Sequence, residues 1–292
     1  MRSVAVVGTG LIGTSIALAL RDRGITPYLL DANPEAAHTA ADLGAGVVGV
    51  PRTPVDLAVL AVPPQHVATS LHQQQVRGLA HDFTDVSSVK VRPHAEAAEL
   101  GCDLARFVGG HPMAGREQSG PLAARADLFR GRPWVLTPSE SAGERVVARA
   151  TALAELCEAR PVVMEPAQHD RAVALVSHTP HLVASLLAAR LLHGDESHLQ
   201  LAGQGLRDAT RIAAGDADLW TDILSSNAAA VVEVLSELAL ELDAAVDALR
   251  ELAEAPSVPG PARAHLNDAL ARGVRGRGLI QGRALSGVAA GK

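Results

Sequence analysis

Ser3-Val4-Ala5-Val6-Val7 is a run of strand length that passes directly into Gly8-Thr9-Gly10-Leu11-Ile12-Gly13. Thr14 to Arg23 then carries apolar residues at helical spacing and stops at Gly24. A G-x-G-x-x-G motif alone says little, but between a strand and a helix it specifies one kind of turn. Gly8 makes the turn, Gly10 lets a pyrophosphate approach the backbone, and Gly13 lets helix and strand pack closely. The helix N-terminus offers free N–H groups and the positive end of its dipole to the phosphates. Gly8, Thr9, Gly10, Leu11, Ile12 and Gly13 are therefore expected to cradle a dinucleotide.

The next strand, Tyr28-Leu29-Leu30, ends at Asp31. A carboxylate there accepts hydrogen bonds from an adenosine ribose and repels a 2′-phosphate. No Arg or Lys follows in Ala32-Asn33-Pro34-Glu35, so NAD is expected over NADP, and Asn33 is the better cap for the helix at Pro34. Further strands are expected at Val47-Val48, 56–62, 82–86, 107–108, 134–136 and 162–164, with a helix over 66–75. This alternation predicts a Rossmann-like, doubly wound, mostly parallel sheet whose ligands lie at the C-terminal strand ends. Val62-Pro63, Ser87-Ser88 and His111 all fall just after strands, on that edge.

Beyond about Pro166 the pattern becomes helical, which divides the chain into a dinucleotide-binding domain, 1–165, and a helical domain, 166–292. Main helices are expected over 167–192, 196–213 and 218–252, a linker over 256–261, a short helix over 263–271, and a mobile or surface-draped tail from about 273. The heptad-like spacing in 233–252 suits burial against a second subunit. Within the first of these helices, Ser177-His178-Thr179-Pro180-His181 interrupts an apolar run. With His169 it raises a metal site, but the spacing is not His-x-x-x-His and only Asp170 is an acid nearby, so a polar cavity wall is preferred and no metal is expected. Asp208 and Arg211 share a helix face, either as a surface ion pair or as substrate ligands.

Composition removes several mechanisms. Lysine occurs only at Lys90 and Lys292, and Tyr28 is the single tyrosine, so a Tyr-x-x-x-Lys pair for hydride transfer is impossible. Histidines and carboxylates remain as bases. Of the 12 histidines, His111 alone sits in a frame of Gly and Pro, Gly109-Gly110-His111-Pro112-Met113-Ala114-Gly115, read as a stiff loop that is either structural or holds a neutral imidazole for proton transfer. The net charge of −6 without a basic block disfavours nucleic acid and anionic membranes. Cys102 and Cys157 are expected to be reduced thiols, and the 172–192 stretch a buried core helix, in a cytoplasmic protein without a signal peptide.

Taken together, GTGLIG (8–13), DVSSVK (85–90), GGHPMAGREQSG (109–120), SHTPH (177–181) and GLRDATRIAAGDADLWTDI (205–223) make the chain resemble the prephenate dehydrogenase, or TyrA, family. The matching segments run in the family's order from Val4 to about Asn227. The resemblance implies an NAD-dependent oxidoreductase of tyrosine biosynthesis with a helical dimerisation domain and a homodimeric state. It implies that His111 is catalytic with Ser88 beside it, that Ser177, His178 and His181 line the pocket, that Arg211 binds a substrate carboxylate, and that Asp208 lies near the entrance. Thr179, where the family often has Leu, and Ser87, where Gly is common, depart from the pattern.

The implied reaction is oxidative decarboxylation of prephenate to 4-hydroxyphenylpyruvate, with hydride leaving ring C4 and His111 accepting the hydroxyl proton. Arogenate, 4-amino-4-deoxyprephenate and another hydroxy acid remain alternative substrates. A non-catalytic NAD sensor on the same fold is the alternative of a different class.

Overall fold

The computed structural model describes residues 1–115, 118–254 and 260–286. Strands β1 (Val4–Val7), β2 (Tyr28–Leu30), β3 (Val47–Val48), β4 (Val55–Leu60), β5 (Ala80–Asp85), β6 (Phe107–Pro112), β7 (Pro133–Thr137) and β8 (Arg160–Val163) form one sheet, ordered β3-β2-β1-β4-β5-β6-β7-β8. Helices α1 (Leu11–Asp22), α2 (Pro34–Asp42), α3 (Val67–Val76), α4 (Val91–Glu99) and α5 (Glu144–Leu156) cover it. Alternate residues of β1 feed opposite cores: Val4 and Val6 pack with Ile16, Leu20 and Trp134, whereas Ala5 and Val7 pack with Val67, Leu71 and Phe83. Both faces are therefore covered, which is why this strand reads as a continuous apolar run.

Every pair from β3 to β6 is parallel, but β7 runs antiparallel to β6, with β8 parallel to β7. The mostly parallel sheet is therefore correct, and the reversal has a simple cause. Among the described residues only a short 3-10 turn, Pro121–Ala123, lies between β6 and β7, and without a crossover helix the next strand returns antiparallel.

Two glycines of the first turn are required by space. Gly8 has φ +98°, and a Cβ there would lie 2.2 Å from the Ala61 carbonyl oxygen. A Cβ on Gly13 would lie 1.9 Å from the Gly8 carbonyl oxygen. Gly10, by contrast, faces open space.

The second half is more broken than its apolar periodicity predicts. The 167–192 helix is α6 (Pro166–Val173), a π-helical turn (Ala174–His178), α7 (Thr179–Ala189) and a 3-10 turn (Arg190–His193). Pro180 has no N–H to donate one turn back, and the helix widens just before it. This stretch is not a fully buried core helix, because Leu175, Val176, Leu186 and Leu187 are exposed in the single chain. It is long and apolar enough to cross a membrane by length and composition, but its other face buries His169, Asp170 and His178. The 196–213 helix is α8 (Glu196–Leu199), α9 (Gln204–Thr210) and a 3-10 turn (Arg211–Ala214), broken around Gly203. The 218–252 helix is α10 (Ala217–Ser226) and α11 (Ala228–Glu254), broken at Asn227.

The chain forms two compact units, residues 1–231 and from Val232 on, so α6 to α10 belong to the same unit as the sheet. In the second unit, α12 (Pro261–Ser286) replaces both the short 263–271 helix and the irregular tail, as far as residue 286. Ala, Leu and Arg are strong helix formers and outweigh the glycines there. Arg272 ties the helix to Glu241 of α11 with two bonds of 2.7 Å. Most of the expected 256–261 linker lies outside the described residues.

Gly13→Ala forces backbone apart at the turn and is expected to destabilise the fold by roughly 1–3 kcal/mol, read as a lowered urea midpoint. Gly10→Ala should leave that midpoint unchanged and weaken dinucleotide binding. Equal midpoints for both variants would contradict the packing argument.

Candidate active site

The C-terminal ends of β1, β4, β5 and β6 lie side by side and carry, in turn, the glycine turn, Val62-Pro63, Ser87-Ser88 and His111. At roughly 4.8 Å per strand, this edge is about 14 Å long from the glycine turn to His111. At the glycine end, Asp31 accepts from the Thr9 amide and hydroxyl at 2.6 and 2.8 Å through Oδ2, and from the Asn33 amide at 2.8 Å through Oδ1. Asn33, not Asp31, caps α2. Asp31 is thus held at the end of β2 with lone-pair capacity left on Oδ1, where it could receive a ribose hydroxyl. The open space at Gly10 and the α1 N-terminus fit a pyrophosphate beside it.

His111 does not sit in a loop. It is the fifth residue of β6, opposite Val135 of β7. Its glycines serve close approach: a Cβ on Gly110 would lie 2.6 Å from the Asp85 carbonyl oxygen, and one on Gly109 would lie 2.4 Å from the Thr137 hydroxyl. The half-buried imidazole places Nδ1 2.8 Å from Nε2 of His169, which is fully buried on α6. His169 Nδ1 in turn lies 2.7 Å from Asp170 Oδ1.

With an ionised Asp170 and a neutral His169, this chain assigns the tautomers. An ionised carboxylate only accepts, so His169 donates from Nδ1 and, when neutral, accepts at Nε2. His111 then donates from Nδ1 and keeps a bare lone pair on Nε2, which has no partner among the described residues. Asp170 is itself held by the Lys90 and Val91 amides, both at 2.9 Å, and so also caps the N-terminus of α4. Beneath His111, the buried pair Lys90–Asp85 (2.5 Å) clamps both polar groups of Gly110: Lys90 Nζ donates to its carbonyl and Asp85 accepts from its amide. Burial lowers the Lys90 pKa, with Asp85 opposing.

Burial holds the His111 pKa well below its ordinary value, and the neighbouring His169, Lys90 and His178 push it the same way. His178 is lowered to about 4, mainly by burial, with His169 adding and Asp170 opposing. Burial also lowers His181. All three imidazoles are therefore neutral at neutral pH.

The other expected site residues fall around this core. Ser88 follows β5 half-buried, but it is His169, not Ser88, that bonds the His111 imidazole. Ser87 bonds Asp85 and the Val89 carbonyl. Ser177 and His178 lie in the π turn, and His178 Nδ1 is 3.1 Å from Asn227 Nδ2. His181 stacks on Trp220 at 3.5 Å, packed over Gly215, where a Cβ would meet the indole nitrogen at 2.5 Å. Arg211 is exposed at the end of α9, and Asp208 on the same helix accepts from Gln204. Sequence reasoning assigned no role to Asp170 as anchor, to Asn227 or to the Lys90–Asp85 clamp. It weighed His169 only as a metal ligand, yet both its nitrogens are engaged by His111 and Asp170.

A doubly wound sheet with a dinucleotide turn at one end of its edge and a positioned neutral histidine at the other fits a nucleotide-dependent oxidoreductase. The model of the prephenate dehydrogenase nucleotide-binding domain matches residues 16–163, and that of the prephenate dehydrogenase dimerization domain matches 165–255. The chain belongs to the prephenate dehydrogenase family. It is 43% identical over 284 residues to the probable prephenate dehydrogenase NovF of Streptomyces niveus, covering 97% of this chain and 78% of that protein. Its fold is similar to Aquifex aeolicus prephenate dehydrogenase in complex with hydroxyphenyl propionate and NAD+, with TM-score 0.80, 27% identity and 94% and 98% of the two chains covered. It is also similar to Synechocystis arogenate dehydrogenase, with TM-score 0.73, 27% identity and 94% and 99% covered.

The buried neutral His178 makes stability pH-dependent. Unfolded, it protonates near 6.5; folded, it resists down to about 4. Between those values the unfolded chain binds more protons, so this contribution is complete above pH 6.5 and falls as the pH drops, by on the order of 3 kcal/mol near pH 4. Urea midpoints at pH 7 and 4.5 should show the loss, and His178→Gln, which cannot titrate, should show less of it. Identical losses would mean that His178 is not buried as a neutral ring.

Proposed function

We propose that this protein carries out the NAD-dependent oxidative decarboxylation of prephenate to 4-hydroxyphenylpyruvate, a step of tyrosine biosynthesis. One observation carries the reading: the Asp170–His169–His111 chain leaves His111 Nε2 as a bare acceptor on the ligand edge of the sheet. A sensor needs no such group, which argues against a non-catalytic role. The kinship with NovF, a probable prephenate dehydrogenase, points the same way. The Synechocystis relative makes arogenate the principal alternative.

NAD⁺, when bound, supplies the hydride acceptor. Gly8, Thr9, Gly10, Leu11, Ile12 and Gly13 would hold its pyrophosphate, Asp31 its ribose, and Val62 and Pro63 would line its path toward β5. His111 takes the proton from the C4 hydroxyl as the C4–H hydride leaves, so that the carbon becomes a carbonyl. Loss of carbon dioxide from the ring then returns its electron pair to the ring, aromatising it, and His111 hands the proton back to the phenolic oxygen. No net proton is released. Ser88 would orient the hydroxyl, and Arg211 would take a substrate carboxylate in a planar two-pronged bond. Ser177, His178 and His181 would form the wall, with Asp208 near the mouth.

The dimerisation-domain match and the exposed Leu175, Val176, Leu186 and Leu187 support a homodimer. A cytoplasmic location follows from the metabolic role proposed.

The test is NADH formation with NAD⁺ and, in turn, prephenate, arogenate and 4-amino-4-deoxyprephenate. Prephenate should be turned over with the highest kcat/KM, and His111→Asn should lower kcat by roughly 10²–10⁴-fold, the usual contribution of a general base. Turnover of arogenate alone, or full activity of His111→Asn, would overturn the proposal.

A further inference from the structure

Asn227 sits at the break between α10 and α11, with 6% of its surface exposed. Its Nδ2 donates to the Asp170 carbonyl oxygen at 2.8 Å and lies 3.1 Å from His178 Nδ1. A backbone carbonyl only accepts, so the amide nitrogen must face it, and the orientation of the Asn227 side chain is settled. The same nitrogen then donates its second hydrogen to His178 Nδ1, which must present a lone pair. A neutral imidazole with a bare Nδ1 carries its hydrogen on Nε2. That N–H has no partner among the described residues, although the side chain is 1% exposed.

His178 is thus the opposite tautomer to His111. Both are referred to one residue: the Asp170 carboxylate sets His111 through His169, and the Asp170 carbonyl sets His178 through Asn227. Each ring lies two hydrogen bonds from Asp170, His111 by way of His169 and His178 by way of Asn227. We infer that Asn227 is a positioning residue that makes His178 a permanent hydrogen-bond donor, and that the pair of His111 acceptor and His178 donor selects oxygen over nitrogen at the carbon that gives up hydride. This rests on the reaction proposed above. A hydroxyl satisfies both partners at once, donating to His111 and accepting from His178. An alkyl amine at neutral pH is an ammonium, which has donors only, and would leave the His178 N–H facing another N–H.

Asn227→Asp is nearly isosteric but can only accept, so it should turn His178 into the Nδ1–H tautomer with an acceptor at Nε2. Asn227→Ala, for use if the aspartate disturbs Asp170 and the fold, should leave a mixture. Proton–nitrogen correlation spectra of the imidazoles in full-length protein report the tautomers without any turnover. The wild type should show Nε2–H for His178 and Nδ1–H for His111. The ratio of kcat/KM for prephenate to that for its C4-amino analogue should fall roughly 10–100-fold in Asn227→Asp and about tenfold in Asn227→Ala, largely through KM for the amine. His178→Gln, whose amide reaches the Nε2 position, should keep more of the selectivity than His178→Leu. A wild-type His178 protonated on Nδ1, or a tautomer change with the ratio unmoved, would overturn the inference. Failure of the wild type to oxidise prephenate at all would instead strike the proposed function, and the spectra would still decide the tautomer.

Discussion

Asp170 is the residue on which the arrangement of the site turns. Its carboxylate receives the two backbone amides that open α4 and the His169 ring, while its carbonyl receives Asn227. One side chain and its own backbone thereby bind the helix after β5, the helix after β8 and the break before α11. The charge sits 5% exposed with three donors around it, the condition under which a buried carboxylate stabilises its surroundings. Remove it, and His169 loses the partner that decides which of its nitrogens carries hydrogen. His111 then loses its assigned role.

Electrostatics reinforces geometry. Burial penalises the imidazolium form of His111 and His178, and a neighbouring ring or ammonium adds to the penalty. The Lys90–Asp85 pair supports the same end from below, fixing the backbone at Gly110 one residue before His111. Breaking a buried pair by removing one partner typically costs about 3–5 kcal/mol, so this clamp makes the end of β6 rigid. A base on a sheet strand, braced by a buried charge pair, is better preorganised than one on a loop.

Features whose partners lie close in sequence were the most readable. The strand, glycine turn and helix of residues 4–22 are one local unit, and the close contacts at Gly8 and Gly13 show why those glycines stand there. The ligand edge of the sheet was legible in part: Ser88 follows β5 as expected, whereas His111, expected in a loop just after a strand, lies within β6. Gly109 and Gly110 misled because glycine signals both turns and close approach; here they let β6 lie against Asp85 and Thr137. The roles of His169 and Asn227 were hidden because they depend on partners 58 and 49 residues away. A hydrogen-bond tautomer has no local signature. The breaks at Gly203 and Asn227, and the continuation of α12 through its glycines, show periodicity giving the face of a helix better than its ends.

The central claim is that His111 works as a neutral acceptor held ready by Asp170 through His169. The pH dependence of kcat/KM tests it most directly, because it reports the essential groups of the free enzyme. The account predicts a plateau that continues as the pH falls through 6.5, with the acidic limb below that value, and a lower plateau when Asp170 is replaced by Asn, which removes the acceptor that orients His169. An acidic limb at or above 6.5 in the wild type, or a profile that Asp170→Asn leaves unchanged, would contradict it.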